Sequence, residues 1–125
     1  RRPFGIVEAC GKTGEVTIIY RLVGTGTAAM TTLRAGDTVS VEGPLGEGTF
    51  STAAGKVLLV GGGVGLAPLI CLAGRLDERP VVLVGGKTKE ETFWSEFFKD
   101  KAEKVYVTTD DGSAGIHGFA VAALP

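Results

Sequence analysis

Two cysteines and a single histidine leave this chain of 125 residues few side chains for metal or nucleophilic chemistry. Cys10 and Cys71 lie far apart and no C-x-x-C motif occurs, so these thiols alone cannot assemble a zinc or iron–sulfur site. His117 has no identifiable partner for acid–base catalysis. We therefore predict neither a metal site nor a catalytic side chain. Two reduced thiols are typical of a cytoplasmic protein.

Neither charge nor hydrophobicity is concentrated in the way that nucleic-acid or membrane proteins require. The net charge is −1, the pI is about 5.8 and no basic cluster occurs, which argues against nucleic acid as a partner. The longest apolar stretch, 57–73, is interrupted by glycines and a proline and is too short to cross a membrane. With 44% hydrophobic and 22% charged residues, the composition is that of a globular protein.

Glycine is abundant, and the hydrophobic pattern changes near residue 52. β-Branched runs and turns dominate residues 1–52, whereas residues 53–125 alternate buried apolar strands with helical segments. The predicted strands are 4–7, 16–21, 38–42, 57–60, 81–84 and 105–108. The predicted helices are 27–33, with Thr27 as its cap, 66–77, 90–101 and 118–124.

The β-α-β-α-β order of the second half predicts an α/β fold with a doubly wound parallel sheet and right-handed crossovers. Three strands make a narrow α/β sheet, and the three strands of the first half cannot close a barrel. We therefore expect two partial domains, 1–52 and 53–125, of a longer protein.

A glycine loop, Gly61-Gly62-Gly63-Val64-Gly65, follows the first buried strand of the second half. Main-chain N–H groups at the start of a helix bind phosphate oxygens, and glycine leaves them accessible. The spacing departs from the dehydrogenase fingerprint, because Pro68 stands where a third glycine is expected and Gly85-Gly86-Lys87 replaces the acidic residue after the next strand. The loop predicts a pyrophosphate site outside the ordinary Rossmann dehydrogenases. A tight turn that binds nothing is the alternative.

Further motifs are spread along the whole chain. They are Arg1-Arg2-Pro3-Phe4, Ile18-Ile19-Tyr20-Arg21, Gly24-Thr25-Gly26-Thr27, Gly43-Pro44-Leu45-Gly46, Gly61 to Pro68, Thr109-Asp110-Asp111-Gly112-Ser113 and Gly118-Phe119. Together they resemble the ferredoxin–NADP reductase superfamily and, within it, the electron-transfer subunits of dihydroorotate dehydrogenase. The resemblance implies that residues 1–52 are part of an antiparallel FAD-binding β-barrel and that residues 53–125 are part of an NAD-binding α/β domain.

The resemblance also implies two groups of cofactor-binding residues. The FAD group is Arg2, Pro3, Phe4, Gly5, Ile19, Tyr20, Arg21, Gly26 and Thr27. The NAD(H) group is Gly62, Gly63, Gly65, Thr109, Asp110 and Asp111. Arg2 would neutralise the flavin phosphates, and Gly26 and Thr27 would offer main-chain N–H groups to the pyrophosphate. Gly5 departs from the Ser or Thr that the family usually has near flavin N5, so only its N–H could donate there. Lys87 could reach a 2′-phosphate, which leaves NADP open.

The implied chemistry is hydride transfer between nicotinamide and flavin, followed by electron transfer through a [2Fe–2S] cluster to a dihydroorotate dehydrogenase catalytic subunit. The cluster cysteines are expected after Pro125, outside this chain. Two alternatives stay open. One is the small subunit of a related flavoprotein, of the sulfide dehydrogenase or hydrogenase γ type. The other is a truncated binding or assembly module without cofactors.

Purely structural interpretations stand beside these. Arg2 fits a solvated charge at a strand end, and Tyr20 fits a core position with its hydroxyl at the surface. Asp110-Asp111-Gly112 fits a turn with a capping aspartate. The four aromatic residues of helix 90–101 are predicted to pack against the sheet. His117 is predicted to lie in a surface loop.

Overall fold

A computed structural model describes residues 2–45, 50–52 and 55–124; Arg1 and residues 46–48 of the predicted loop 43–48 lie outside the described residues. The described strands form two sheets. The first is an antiparallel pair, β1 (Ile6–Ala9) and β2 (Val16–Ile18). The second is parallel and contains, in spatial order, β3 (Leu58–Gly62), β4 (Val81–Gly86), β5 (Lys104–Thr109) and β6 (Ile116–His117). This α/β arrangement confirms the predicted fold class.

The helical segments within the described residues are short and number five. Two are α-helices, α1 (Thr25–Met30) and α2 (Ala67–Ala73). Three are 3₁₀ helices, at Gly63–Leu66, Lys89–Phe98 and Ala120–Ala123. The first of these runs directly into α2. Gly61 and Gly62, which were predicted to lie in a loop after the strand, are the last two residues of β3, and Gly63 and Gly65 lie in the helical turn. We keep the name glycine loop for residues 61–65.

The core lies between one face of the parallel sheet and the helices that follow β3 and β4. Strand residues alternate between the two faces, and Leu59, Val82 and Val84 point to the face that α2 covers. Phe98 of the Lys89–Phe98 helix is completely buried in the same cluster. Val7 of β1 joins it at 4% exposure, so the two predicted halves share this core. The domain boundary near residue 52 stays a prediction.

Several predicted elements are shorter or displaced. The strand predicted at 16–21 ends at Ile18, and residues 38–42 form no strand. A strand needs a hydrogen-bonded neighbour, and no described strand lies beside 38–42 to supply one. The helix predicted at 66–77 is α2 and ends at Ala73. The helix predicted at 118–124 is the 3₁₀ turn Ala120–Ala123, and β6 before it was not predicted.

The prediction of Thr27 as a helix cap was wrong. The capping position is Gly24, and Thr27 is the third residue of α1. The Oγ1 atom of buried Thr27 instead accepts hydrogen bonds from the main-chain N–H groups of Val23 (3.0 Å) and Gly24 (3.2 Å). The hydroxyl therefore satisfies donors that precede the helix, and it fixes the angle at which the chain enters α1.

The packing prediction for the four aromatic residues of the Lys89–Phe98 helix was half wrong. Trp94 and Phe98 are buried, but Phe93 is 51% and Phe97 is 40% exposed. Neighbouring residues in a 3₁₀ helix point a third of a turn apart, so only one member of each adjacent aromatic pair can face the sheet. The exposed rings contact the buried one, with Phe93 stacked on Trp94 at 4.9 Å between centroids.

Candidate functional site

A cleft opens where the strands of the parallel sheet end. In the parallel register Gly62 lies beside Gly85, and Gly85 lies beside Thr108, so the carboxyl ends of β3, β4 and β5 meet at one edge. Open α/β sheets bind ligands at this edge. The cleft has a volume of about 270 Å³. Its lining residues are Gly61, Gly62, Gly63, Gly85, Gly86, Lys87, Glu91, Asp110, Phe119 and Ala120.

The glycines of the loop serve two different purposes. A Cβ placed at Gly62 would lie 2.9 Å from the carbonyl oxygen of Gly85, so a side chain there would disrupt the β3–β4 pairing. Gly63 adopts φ of +55°, which side chains disfavour. At both Gly63 and Gly65 a Cβ would meet nothing within 4 Å, so the space outside the loop is open.

That open space borders the start of a helical segment. Gly62 is extended, and the 3₁₀ helix Gly63–Leu66 begins directly after it. The first N–H groups of a helical segment have no acceptor within it, and they carry the positive end of the helix dipole. The loop therefore presents main-chain donors to an open space that a phosphate could occupy.

A carboxylate that the sequence analysis missed lies at the rim of the cleft. The main-chain N–H of Lys87 donates to Oε2 of Glu91 at 2.9 Å, which brings Glu91 back to the end of β4. No acidic residue directly follows this strand in the sequence, but Glu91, a few positions later, places its carboxylate at the end of the strand. The signal that could have found it is the Gly86-Lys87 turn directly before a helix whose first turn contains Glu91.

The three predicted residues at the end of β5, Thr109, Asp110 and Asp111, divide between the cleft and the loop. Asp110 lines the cleft. Thr109 is fully buried, and its hydroxyl donates to the carbonyl oxygen of Ala114 at 2.7 Å. Asp111 Oδ1 accepts from the N–H (2.9 Å) and the hydroxyl (2.6 Å) of Ser113. The arrangement fits the turn interpretation for Asp111.

The turn at Asp111 also connects two loops at the rim of the cleft by a hydrogen bond. The oxygen of the Ser113 hydroxyl accepts from the main-chain N–H of Lys89 at 2.8 Å, at the start of the helix that carries Glu91. The Ser113 hydroxyl and N–H, which donate to the Asp111 carboxylate, hold its pKa below the ordinary value. The ionised carboxylate of Asp111 therefore stabilises this loop.

A second group of predicted residues lies on the front half. The Arg2 side chain passes over the first turn of α1, where a Cβ at Gly26 would lie 3.2 Å from Arg2 Nε. The first N–H groups of α1, including those of Gly26 and Thr27, have no acceptor within the helix. The structure thus brings the Arg2 guanidinium next to the main-chain donors of Gly26 and Thr27, and their role in binding a phosphate stays a prediction.

The aromatic residues of the front half form a pair beside this group. The rings of Phe4 and Tyr20 meet edge to face, with 5.9 Å between centroids. Ile19 packs against the core cluster, so part of its side chain is structural. Pro3 and Arg21 are exposed. The Tyr20 ring is half-buried, which fits its structural interpretation as well.

Gly5 connects the two groups. A Cβ at this position would lie 3.0 Å from Cδ of Pro68, at the start of α2. The main chain beside the predicted flavin residues thus contacts the helix that follows the glycine loop. The absence of a side chain at residue 5 permits this close approach.

No group of three or more His, Cys, Asp and Glu side chains in the described part of the chain is arranged to hold a metal ion. Across the same residues, no helix is both long and apolar enough to span a bilayer. His117 is exposed, but it belongs to β6 rather than to a loop, because it pairs with Thr109.

The paired carboxyl ends, the glycine loop and the preceding antiparallel strands define a ferredoxin–NADP reductase-like α/β protein. The chain superposes on a solved structure of an NADH-dependent reduced ferredoxin-NADP oxidoreductase with a TM-score of 0.83 and 32% identity, covering 98% of this chain and 46% of that one. No protein-family model matches the chain.

Curated relatives give a narrower assignment. The chain is 42% identical over 125 residues to the electron transfer subunit of dihydroorotate dehydrogenase B (NAD(+)) of Fusobacterium nucleatum subsp. nucleatum, covering 95% of this chain and 48% of that protein. It is 44% identical over 124 residues to the Bacillus caldolyticus subunit of the same name, covering 94% and 48%. The chain belongs to this family of electron transfer subunits and spans about half the length of the curated relatives it matches.

Proposed function

We propose that this chain forms the cofactor-binding part of a reductase subunit that passes electrons from NADH through FAD to a dihydroorotate dehydrogenase catalytic subunit. The open glycine loop at the carboxyl end of β3 carries the proposal. It combines main-chain donors, the positive end of a helix and free space at Gly63 and Gly65. The names of the relatives, which specify electron transfer and NAD(+), agree with it.

The cleft supports NAD(H) as its occupant. The pyrophosphate would lie against the N–H groups that begin the Gly63–Leu66 helix, and the rest of the dinucleotide would extend along the ends of β4 and β5. Gly85 and Gly86 line this path and carry no side chains that would block it. Asp110 provides a carboxylate farther along the same edge.

Glu91 favours NAD over NADP. A carboxylate after the second strand of a nucleotide-binding sheet accepts hydrogen bonds from the ribose hydroxyls and repels a 2′-phosphate. Glu91 lines the cleft, and the Lys87 N–H holds its carboxylate at the end of β4. The Lys87 side chain lines the same cleft and acts in the opposite sense, so the preference depends on the balance between these two charges.

The front half supports FAD. Arg2 and the first turn of α1 form a cationic site with main-chain donors, which suits the flavin pyrophosphate. The Phe4–Tyr20 pair offers apolar rings beside it for the flavin ring system. The Gly5 main chain contacts Pro68, so this site and the glycine loop are held against each other.

Bound together, the two cofactors would supply the hydride chemistry, and the chain would align them. The described residues provide no metal site, so the [2Fe–2S] cluster would be ligated elsewhere in the longer protein. We infer that the protein works in the cytoplasm beside its catalytic partner. The rival proposal of a cofactor-free assembly module needs a glycine loop that binds nothing.

The test uses the full-length subunit, purified with and without the catalytic subunit. We expect a yellow protein whose flavin absorbance bleaches when NADH is added without oxygen, and whose partner then becomes reduced. A colourless protein that still binds the catalytic subunit would support the assembly module instead. A yellow protein that NADH does not bleach would refute the assignment of the cleft.

A further inference from the structure

The helix Lys89–Phe98, which follows β4, begins without a capping side chain of its own. Thr88 occupies the capping position, but within the described chain its side chain makes no capping hydrogen bond to the helix. Its hydroxyl instead donates to Oε2 of Glu90 at 2.6 Å. The first N–H groups of a helix have no acceptor inside it, so the start of this helix depends on acceptors from outside.

Ser113, which lies 24 residues after Lys89, supplies such an acceptor. Its Oγ atom accepts from the main-chain N–H of Lys89 at 2.8 Å. The hydroxyl donates its own proton to Oδ1 of Asp111 at 2.6 Å. A serine hydroxyl has one proton and two lone pairs, and an ionised carboxylate only accepts. The Asp111 carboxylate therefore orients the hydroxyl so that a lone pair faces Lys89.

Main-chain hydrogen bonds join the same two loops closer to the strands. The N–H of Asp110 donates to the carbonyl oxygen of Gly86 at 3.0 Å, and the N–H of Asp111 donates to that of Lys87 at 3.2 Å. These bonds continue the β4–β5 pairing beyond the strand ends. The loop after β5 therefore contacts segment 86–89 along its length, and the bond at the start of the helix comes from the Ser113 side chain.

The segment held in this way determines where the Glu91 carboxylate lies. Lys87 and Glu91 line the cleft, and the Lys87 N–H donates to Oε2 of Glu91 at 2.9 Å. Glu91 belongs to the first turn of the helix, and a Cβ at Gly86 would lie 3.1 Å from Glu91 Cβ. The position of this carboxylate therefore follows from where the helix begins. Ser113 is exposed and lies outside the described lining of the cleft, so it can act on the cleft only through other residues.

We propose that Ser113 is a positioning residue for the choice between nicotinamide dinucleotides: its hydroxyl caps the Lys89–Phe98 helix and thereby fixes the Glu91 carboxylate at the cleft. This rests on the proposed function, in which Glu91 favours NAD(H) over a 2′-phosphorylated cofactor. Without the cap the first helical turn loosens. The carboxylate then binds a ribose hydroxyl less well and repels a 2′-phosphate less. Ser113 thus acts on the ratio of two affinities rather than on hydride transfer.

Titration of the full-length subunit with NADH and with NADPH tests this proposal. Ser113→Ala removes the acceptor, so we expect the ratio of the two Kd values to shift about 3- to 10-fold toward NADPH, the equivalent of one hydrogen bond. Ser113→Thr keeps a hydroxyl at an exposed position and should restore the ratio. An unchanged ratio in the alanine variant, or a shift that threonine does not restore, would overturn the proposal.

Thr88→Ala is the matched control for these titrations. Its hydroxyl lies at the same end of the helix but donates to Glu90, so its removal should leave the ratio unchanged. A shift as large as that of Ser113→Ala would show that any change at this helix end alters selection, and would contradict the specific role of Ser113.

A double-mutant cycle shows whether Ser113 acts through Glu91. In a Glu91→Gln background we expect Ser113→Ala to change the ratio by less than about twofold, because the charge that the cap positions is gone. The same shift in both backgrounds would show that the two residues act independently, and would refute the positioning role.

Amide hydrogen exchange at Lys89 measures the cap without any cofactor. We expect Ser113→Ala to accelerate this exchange roughly tenfold and Thr88→Ala to leave it unchanged. Nucleotide binding by a wild-type protein whose Lys89 amide is unprotected would refute the role of Ser113 alone. A protected Lys89 amide in a wild-type protein that binds neither nucleotide would refute the proposed function, and the role in selection with it.

Discussion

Gly65→Val is the substitution that most directly tests the glycine loop. Gly65 is exposed and does not adopt positive φ, and a Cβ there meets nothing within 4 Å. The folded chain therefore accommodates the valine, whereas the phosphate space does not. Gly63→Val would confuse the two effects, because Gly63 adopts φ of +55° and any side chain there adds main-chain strain.

The expected magnitude follows from the donors that the valine shields. A hydrogen bond to a charged group contributes about 1.5–3 kcal/mol. Displacing the pyrophosphate from two main-chain N–H groups therefore weakens binding by about 3–6 kcal/mol, or roughly 10²- to 10⁴-fold in Kd. Flavin content should not change, because Arg2 and Gly26 lie on the front half.

The assay is an anaerobic titration of flavin reduction by NADH in the full-length subunit, with thermal unfolding as the check on stability. Gly11→Val is the matched control, since Gly11 lies in the turn between β1 and β2 and a Cβ there also meets nothing within 4 Å. We expect the control to bind NADH like the wild type. An NADH Kd within about threefold of the wild type for Gly65→Val would refute the loop assignment.

Three further predictions concern charges. Arg2→Ala should weaken FAD retention by roughly 10- to 100-fold and reduce the salt dependence of FAD binding. The control Arg75→Ala, at an exposed position, should do neither. Equal flavin content in both variants would exclude Arg2 from the FAD site. Glu91→Gln should shift the ratio of NADH to NADPH affinity toward NADPH, and Lys87→Ala should shift it toward NADH; both ratios are measured by titration. An unchanged ratio in both variants would show that these residues do not select the cofactor. The pKa of Asp111 is lowered in the folded chain. Its ionised carboxylate therefore contributes to folding stability above pH 3.8, the ordinary pKa, and this contribution is lost as the pH falls through the lower folded pKa. The Ser113 N–H resonance should report that titration below pH 3.8, and a midpoint above it would contradict the hydrogen bonds.

The sequence was sufficient for features that depend on local pattern. Apolar runs located β3 and β4, and the run Val105-Tyr106-Val107-Thr108 located β5, because strands of parallel sheets are rich in apolar and β-branched residues. The three consecutive glycines located the loop between β3 and α2, since few other residues tolerate such a close approach of main chains. These elements fix where the strand ends meet, and the position of the cleft follows from them.

Features that depend on side chains meeting across the fold were not predictable in the same way. Glu91 returns to the end of β4 only because the Lys87 N–H binds its carboxylate, and no spacing rule for β–α units contains that contact. Residues 38–42 alternate as a strand should, but alternation cannot supply the neighbouring strand that a ladder requires. Asp111 and Asp110 are adjacent in sequence, yet only their surroundings separate a turn-forming carboxylate from one at the cleft.

The contact between Gly5 and Pro68 makes the two proposed cofactor sites depend on each other. Gly5 precedes β1, and β1 packs on α2 through Val7, so the front residues and the glycine loop are joined by a rigid path only a few residues long. The Cβ of a side chain at residue 5 would lie 3.0 Å from the proline ring, so Pro68 or the start of β1 has to give by a few tenths of an ångström. We expect either movement to change how the two proposed cofactors would align more than it would change the affinity for either one. Hydride transfer is sensitive to such small misplacements, so we predict that a side chain at residue 5 lowers the rate of flavin reduction by NADH more than the affinity for either cofactor.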